Sequence, residues 1–109
     1  MGFIQGIINQ QVFGSVTFDK FPIRVESESY VVDVDDYIII CNFTVDGNIT
    51  LPSVDVGKVF TIKSIGNGSV AFLTQLDGIN NLKIYKGGSV MIVSTGIDYV
   101  IIASAGYGL

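Results

Sequence analysis

The sequence predicts an all-β fold, a small antiparallel β-sandwich or barrel-like domain of roughly seven or eight short strands. Short runs of β-branched and aromatic residues recur along the chain, and turn signals separate them at intervals of roughly 8 to 12 residues. After residue 14 no segment keeps a helical spacing of apolar residues over several turns. The length of 109 residues fits one domain.

The first 25 residues differ from the rest and are predicted to form an N-terminal arm, with the β domain covering residues 26–109. Apolar residues in this arm are spaced like one face of a helix, and the anchor candidates are Phe3, Ile4, Ile7, Ile8, Val12 and Phe13. Glycines at positions 2 and 6 each weaken a helix by about 1 kcal/mol, and so short a helix is marginal alone. We therefore expect an arm that becomes ordered by docking on a neighbouring subunit or a larger particle. The alternative is a first strand or ragged terminus that serves only the domain's own fold.

Residues 16–25 are predicted to be extended but are interrupted by Pro22, which cannot donate a hydrogen bond to a neighbouring strand. This segment therefore belongs at a sheet edge or in a crossing linker. The strands of the β domain are predicted at 30–34, 37–45, 49–51, 59–65, 70–73, 82–85, 89–93 and 99–103. The sequence shows no convincing internal repeat in this order.

The strongest local signal is the Asn67-Gly68 pair between two apolar runs. Such a pair is typical of a β-hairpin, because a type I′ turn requires positive φ at both central residues. In this hairpin Ile65 pairs with Val70 and Lys63 with Phe72. The face that carries Lys63 and Phe72 is too apolar to lie comfortably in water.

The chain has more apolar residues than a small monomer can bury. Hydrophobic residues make up 49% of it and charged residues 15%, against roughly 25% charged residues in average soluble domains. The mean hydropathy is +0.56. No apolar run approaches the roughly 20 residues of a membrane-spanning helix. A subunit interface is therefore the favoured explanation for the surplus.

Several strands are apolar on both faces, which indicates that both faces meet protein. In residues 37–43 one face carries Ile39 and Cys41 while the other carries Ile38 and Ile40, and residues 90–93 and 99–103 behave likewise. The candidates for a trimer interface are Ile38, Ile40, Phe72, Met91 and Tyr107.

Composition also argues against several functions. The net charge of −4 and the scattered Lys and Arg residues argue against a nucleic-acid partner. The chain has no histidine and one cysteine, Cys41, so the usual general base, thiolate metal sites and an intrachain disulfide are absent. Cys41 lies in an apolar run and is predicted to be a buried thiol. We expect no catalytic site, no cofactor and no membrane partner.

Two groups of residues are candidates for a ligand-binding site. Asp33, Asp35 and Asp36 offer the oxygen ligands that calcium prefers, but the EF-hand spacing is missing and a solvated turn is the favoured interpretation. The tyrosines that could stack on a sugar are Tyr85, Tyr99 and Tyr107. Tyr99 begins an apolar strand and is more readily explained as a core residue.

A series of short motifs runs through residues 30–103. In order these are Asp36-Tyr37 leading an apolar run, Ile49-Thr50-Leu51-Pro52, the Gly57–Lys63 strand with its Gly66–Ser69 turn, Asp77-Gly78, the strand opening at Gly88-Ser89, and a Ser-x-Gly turn into Tyr99. This order resembles the small all-β domains of bacteriophage tail-fibre, head-fibre and related virion structural proteins. Similar sequences often carry a tryptophan in the last turn, where this chain has Ile97-Asp98-Tyr99, so no receptor-binding role is carried over through that turn.

The resemblance implies a non-enzymatic homotrimer that is a short fibre, a fibre tip, an adaptor or a decoration protein. Its N-terminal arm would dock on a larger virion protein of the capsid, tail or baseplate. The expected location is the virion, after assembly in the host cytoplasm. The alternative function is a receptor- or carbohydrate-binding module at a fibre tip, with a host surface glycan as its ligand.

Overall fold

The computed structural model describes residues 22–108, with side chains through residue 106. The predicted anchor residues of the arm, Phe3, Ile4, Ile7, Ile8, Val12 and Phe13, lie outside the described residues, and their role stays a prediction. The first strand begins at Ile23, so the sheet starts before the predicted domain boundary at residue 26.

The described residues form eight strands and no helix, which confirms the predicted all-β, barrel-like class. The strands are β1 (Ile23–Glu26), β2 (Tyr30–Val31), β3 (Ile38–Cys41), β4 (Gly47–Thr50), β5 (Val59–Ser64), β6 (Val70–Phe72), β7 (Lys83–Ser94) and β8 (Tyr99–Gly108). Six are short, whereas β7 and β8 have 12 and 10 residues.

The chain alternates between two wings of one sheet, whose order is β1-β3-β5-β7-β6-β4-β2 with β8 added to β7. We call β1, β3 and β5, with residues 89–93 of β7 and with β8, the odd wing. The even wing consists of β2, β4 and β6 with the first residues of β7. Each pair of successive strands thus makes one coil, and three coils stack like the turns of a short solenoid.

The predicted antiparallel arrangement is wrong for the first six strands. Within each wing the coils stack in parallel, so that Ile23 lies beside Ile38 and Ile38 beside Thr61. The even wing repeats this order, and both of its pairings are parallel. The antiparallel pairings between the eight strands all involve β7, which runs along both β5 and β6 and closes the two wings.

The predicted hairpin between residues 59–65 and 70–73 is also wrong, because β5 and β6 do not pair with each other. The turn between β5 and β6 instead packs against the preceding coil, which consists of β3 and β4. The amide of Ile65 donates to the Cys41 carbonyl and that of Gly68 to the Phe43 carbonyl, each at 2.9 Å. Neither Gly66 nor Gly68 has a positive φ, and a Cβ on Gly66 would overlap the Phe43 backbone. These glycines permit close stacking of coils and do not form a type I′ turn.

The core fills the space between the two wings. Ile39, Ile62 and Ile92 enter from the odd wing, and all three are fully buried. The even wing contributes Ile49 and Phe72, which are equally buried. Phe72 was predicted to lie at a trimer interface, and that prediction is wrong because β6 turns its ring into the core. A ring enclosed by its own chain cannot contact a second subunit.

Candidate assembly surface

The outer face of the odd wing carries a continuous set of apolar side chains. Because side chains alternate along a strand, Ile39 and Cys41 point into the core and Ile38 and Ile40 point away from it. The strand register aligns this outer face in three rows, which are Ile23, Ile38, Thr61, Met91 and Ala103; Val25, Ile40, Lys63, Ser89 and Ala105; and Val59, Val93 and Val100. We call these three rows the outer face.

The outer face is partly open to solvent. Ile23 and Val25 are 61% and 63% exposed, and Met91 is 36% exposed. Ile38 and Ile40 are half-buried by their neighbours in the sheet. Lys63 is the one charged side chain in the three rows, and its Nζ donates to the carbonyl of Gly87 at 3.1 Å. A sheet face with so little charge is unusual for a surface that stays in water.

The corresponding face of the even wing is more polar. Its register aligns Asn48 with Ala71 and Lys83, and Thr50 with Val31. Val31 is exposed there beside a threonine and does not belong to an apolar row. Exposed apolar side chains also occur in loops, for example Val45 and Ile97, but among the strand faces the odd wing has the aligned apolar rows. This contrast selects the outer face of the odd wing as the candidate assembly surface.

The structure brings together three of the five predicted interface residues. Ile38 and Met91 both flank Thr61 in one row, and Ile40 lies in the next row. Tyr107 lies opposite Ile84 in the β7–β8 ladder, but its side chain is outside the described part of the chain.

The sequence reasoning missed five valine and isoleucine members of the outer face, which are Ile23, Val25, Val59, Val93 and Val100. Val93 and Val100 were recognisable from the doubly apolar runs 90–93 and 99–103. Ile23 and Val25 alternate with Arg24 and Glu26, which is the period-2 pattern of a strand, but these residues had been assigned to the arm and the start of the domain.

The inner side of β1 carries a polar cap, formed by Arg24, Glu26, Tyr30 and Asp36, at the open end of the barrel. Arg24 donates from Nε to Asp36 at 3.1 Å and from Nη1 to Glu26 at 3.2 Å. The Tyr30 hydroxyl donates to the second Asp36 oxygen at 2.6 Å, and the Arg24 guanidinium lies 5.2 Å from the centre of the Tyr30 ring. The cap joins β1, β2 and the turn before β3.

Electrostatics in the polar cap favour one protonation state. Burial alone would raise the pKa of Asp36, but hydrogen bonds from Tyr30, from the Asp33 amide and from Arg24 outweigh it and hold the pKa below its usual value. Burial, followed by the hydrogen bond to Asp36, raises the pKa of Tyr30 to about 12. Both carboxylate oxygens of Asp36 thus accept hydrogen bonds from other groups of the protein. This arrangement suits a structural cap better than a general acid or base.

The acidic turn does not form a metal site. The Asp36 side chain turns to Arg24 and Tyr30, while Asp33 and Asp35 are exposed. The Asp35 amide donates to the Asp33 carboxylate at 3.0 Å, which closes a local turn. Within residues 22–108 no group of three or more aspartate, glutamate, cysteine or histidine residues is placed to hold a metal ion.

Of the three tyrosines, Tyr99 is enclosed in the core and cannot stack on a sugar. Tyr99 is 4% exposed, donates its hydroxyl to the Pro52 carbonyl at 2.5 Å and packs its ring 6.2 Å from Phe60. It is therefore a core residue, as its place in an apolar strand predicts. Tyr85 is 48% exposed.

Cys41 is fully buried, as predicted, and burial raises the pKa of its thiol to about 12. In the described region, which is built from strands and turns, there is no helix with the length and apolarity needed to cross a bilayer.

Comparison with known proteins finds a likeness of fold. No protein-family model matches the chain, and no curated protein matches it. Among solved structures, a chain described as "Structure of a chaperone-substrate complex" is similar, with a TM-score of 0.58 and 16% sequence identity. The likeness covers 80% of this chain and 17% of that chain. At this identity it establishes a shared all-β fold.

Proposed function

We propose that this chain is a non-enzymatic bacteriophage virion structural protein. It assembles as a homotrimer through the outer face of the odd wing and docks on a larger virion protein by its N-terminal arm. The observation that carries the proposal is the contrast between the wings. The outer face of the odd wing carries rows of isoleucine, valine and methionine, whereas on the even wing asparagine, threonine and lysine are interspersed with Val31 and Ala71.

The energetics of the outer face support association. Full burial of one isoleucine or valine side chain is worth about 1.5–3 kcal/mol. Ile23 and Val25 retain more than half of their exposure in a single copy, so much of that free energy is not yet realised. A contact between copies removes these side chains from water, and Lys63 stays bonded to its own chain at 3.1 Å. Because the charged side chain is already partnered, its desolvation costs less than that of a free lysine.

The virion assignment and the number of three copies rest on the resemblance of residues 30–103 to phage fibre domains. The arm supports attachment to a larger particle, because no charged residue precedes Asp19 while apolar residues recur through residues 3–13. The non-enzymatic character rests on a chain without histidine and on a polar cap whose carboxylate is fully engaged.

Native mass spectrometry of purified protein tests the assembly. Ile40→Lys places a charge in the middle of the outer face and should convert the trimer to monomers. Thr50→Lys places the same charge on the outer side of the even wing and should leave the trimer intact. Both variants should keep the β-sheet circular dichroism of the wild type. A wild-type protein that is a stable monomer at micromolar concentration would overturn the proposed trimer.

Deletion of residues 1–14 tests the anchor. The shortened protein should keep its β-sheet circular dichroism and its oligomeric state but should no longer co-sediment with phage particles that lack this protein. The point variant Ile7→Asp in the full-length chain serves as a milder version of the same test. If the shortened protein fails to fold, the arm belongs to the core and the anchor role is wrong.

A further inference from the structure

Within residues 22–108, the odd wing ends in two strand edges that no further strand covers. In this part of the chain β1 pairs with β3 and β8 pairs with β7, apart from a short bridge at the start of β8. There the Asp77 amide donates to Tyr99 at 2.9 Å and the Ile101 amide donates to the Asp77 carboxylate at 3.0 Å. On the side of β8 that faces away from β7, residues 102–106 make no comparable hydrogen bonds to the rest of the described chain.

The free edge of β1 can be located from its bonds to β3. The carbonyls of Pro22 and Glu26 accept from Ile38 and Asn42, so the even-numbered residues of β1 direct their backbone groups to β3. The backbone groups of Ile23 and Val25 consequently point to the opposite, open side. Such an edge is a template for pairing with another strand.

The two free edges run in the same direction. β1, β3 and β5 are parallel, β7 runs opposite to β5, and β8 runs opposite to β7. A rotation axis parallel to the strands therefore places β8 of one copy beside β1 of the next copy as a parallel pair. Repeating that rotation joins unlike edges head to tail, and the contact closes into a ring when the rotation divides a full turn.

We propose that β1 of one copy pairs in parallel with residues 102–106 of β8 in the next copy, so that the odd wing continues across the subunit boundary. This inference rests on the proposed self-association and specifies which backbone edges form it. The occupant of each edge is a second copy of this chain.

The side chains at the two edges are compatible with this joint. Ile23 and Val25 lie on the outer face, as do Ala103 and Ala105, so the paired edges would extend one apolar surface. The charged residues of β1 point inward to the polar cap and do not block its edge. Residues 102–106 are small or apolar and contain none of the lysines or prolines that commonly protect edge strands. β1 has four residues, one fewer than this five-residue stretch.

Disulfide trapping in the full-length chain tests the joint. The variants are Val25→Cys with Ala103→Cys and, for the alternative register, Val25→Cys with Ala105→Cys. Within one copy these positions are four strand spacings apart, about 19 Å, which exceeds the reach of a disulfide. Mild oxidation should therefore produce covalent trimers of at least one double variant on non-reducing gels. The wild type and each single variant should run as monomers, because Cys41 is buried.

Three results would overturn the edge pairing. Dimers from Ala103→Cys alone would indicate a symmetric β8–β8 contact. An absence of cross-links in both registers would indicate that the edges do not meet. Rapid hydrogen exchange in the unmodified oligomer of those amides of residues 102–106 that point away from β7 would also show that the edges do not meet, since paired amides should be protected.

The same experiment separates this inference from the proposed trimer. A trimer by native mass spectrometry without cross-links leaves the trimer standing and rejects the edge pairing. A cross-linked ladder that continues beyond three copies supports the edge pairing and rejects the trimer as the closed form.

Discussion

Substitution of Asp36 by alanine should weaken the attachment of the first coil of the barrel to the second and lower the stability of the fold. Three groups donate to this carboxylate, namely the Tyr30 hydroxyl at 2.6 Å, the Asp33 amide at 2.8 Å and Arg24 Nε at 3.1 Å. A hydrogen bond to a charged group contributes about 1.5–3 kcal/mol, whereas the ion pair to the half-exposed Arg24 adds little because solvent screens it. Since all three share one carboxylate and are not additive, we expect a loss of about 2–4 kcal/mol in the free energy of unfolding.

Urea denaturation followed by circular dichroism at pH 7 measures this loss, with the protomer concentration held constant because assembly contributes to stability. Asp35→Ala is the matched control, because it removes an exposed carboxylate from the same turn, and it should change the free energy of unfolding by less than about 0.5 kcal/mol. If Asp36→Ala costs less than about 1 kcal/mol, or no more than the control, the polar cap does not hold β1 in place and the reasoning fails.

The same urea titration checks three further predictions. Burial and then the hydrogen bond to Asp36 raise the pKa of Tyr30 from 10.0 to about 12. The stability that the protonated Tyr30 side chain contributes is therefore complete below pH 10 and is lost as the pH rises towards 12. The Tyr30→Phe variant should not show that loss of stability. The Ser64 hydroxyl is buried with no hydrogen-bond partner in the described structure, so Ser64→Ala should stabilise the fold by about 1 kcal/mol. Ser94→Ala removes a bonded hydroxyl and should destabilise it by about as much, whereas a loss in Ser64→Ala would contradict the assignment. Gly66→Ala forces a Cβ against the backbone of the neighbouring coil and should cost about 2 kcal/mol or more, with the exposed Asn67→Ala costing less than about 0.5 kcal/mol.

The fold class was predictable from the sequence because strand patterns are local. Alternation in residues 37–43 and 59–65 identifies strands and their buried faces without knowledge of their partners. Partners are a non-local property, and here the local turn signal was misleading. Gly68 follows Asn67 as in a hairpin turn, but glycine is needed there because the loop packs directly on the Val45 backbone.

The stacked coils escaped detection because their lengths differ. Ile38 follows its partner Ile23 by 15 residues, whereas Thr61 follows Ile38 by 23. The second interval is longer because residues 51–58 form a loop between the wings. Unequal intervals leave no fixed period in the sequence, and a repeat search depends on a fixed period. The strand faces were predicted correctly for Ile38 and Ile40, which lie on the outer face, but not for Phe72, which was assigned through the hairpin and lies in the core.

The side-chain pattern of β1 supports self-association independently of the surplus of apolar residues. An edge strand of a lone barrel normally directs its apolar side chains to the core and its charges to water. In β1 the order is inverted, since Arg24 and Glu26 point towards the open end of the barrel while Ile23 and Val25 point outward. The inversion is favourable if the open end stays wet, where the polar cap meets solvent, and the outer face is covered. The Arg24 side chain of the polar cap is half-exposed to solvent, and the outer face is covered when copies associate through the odd wing.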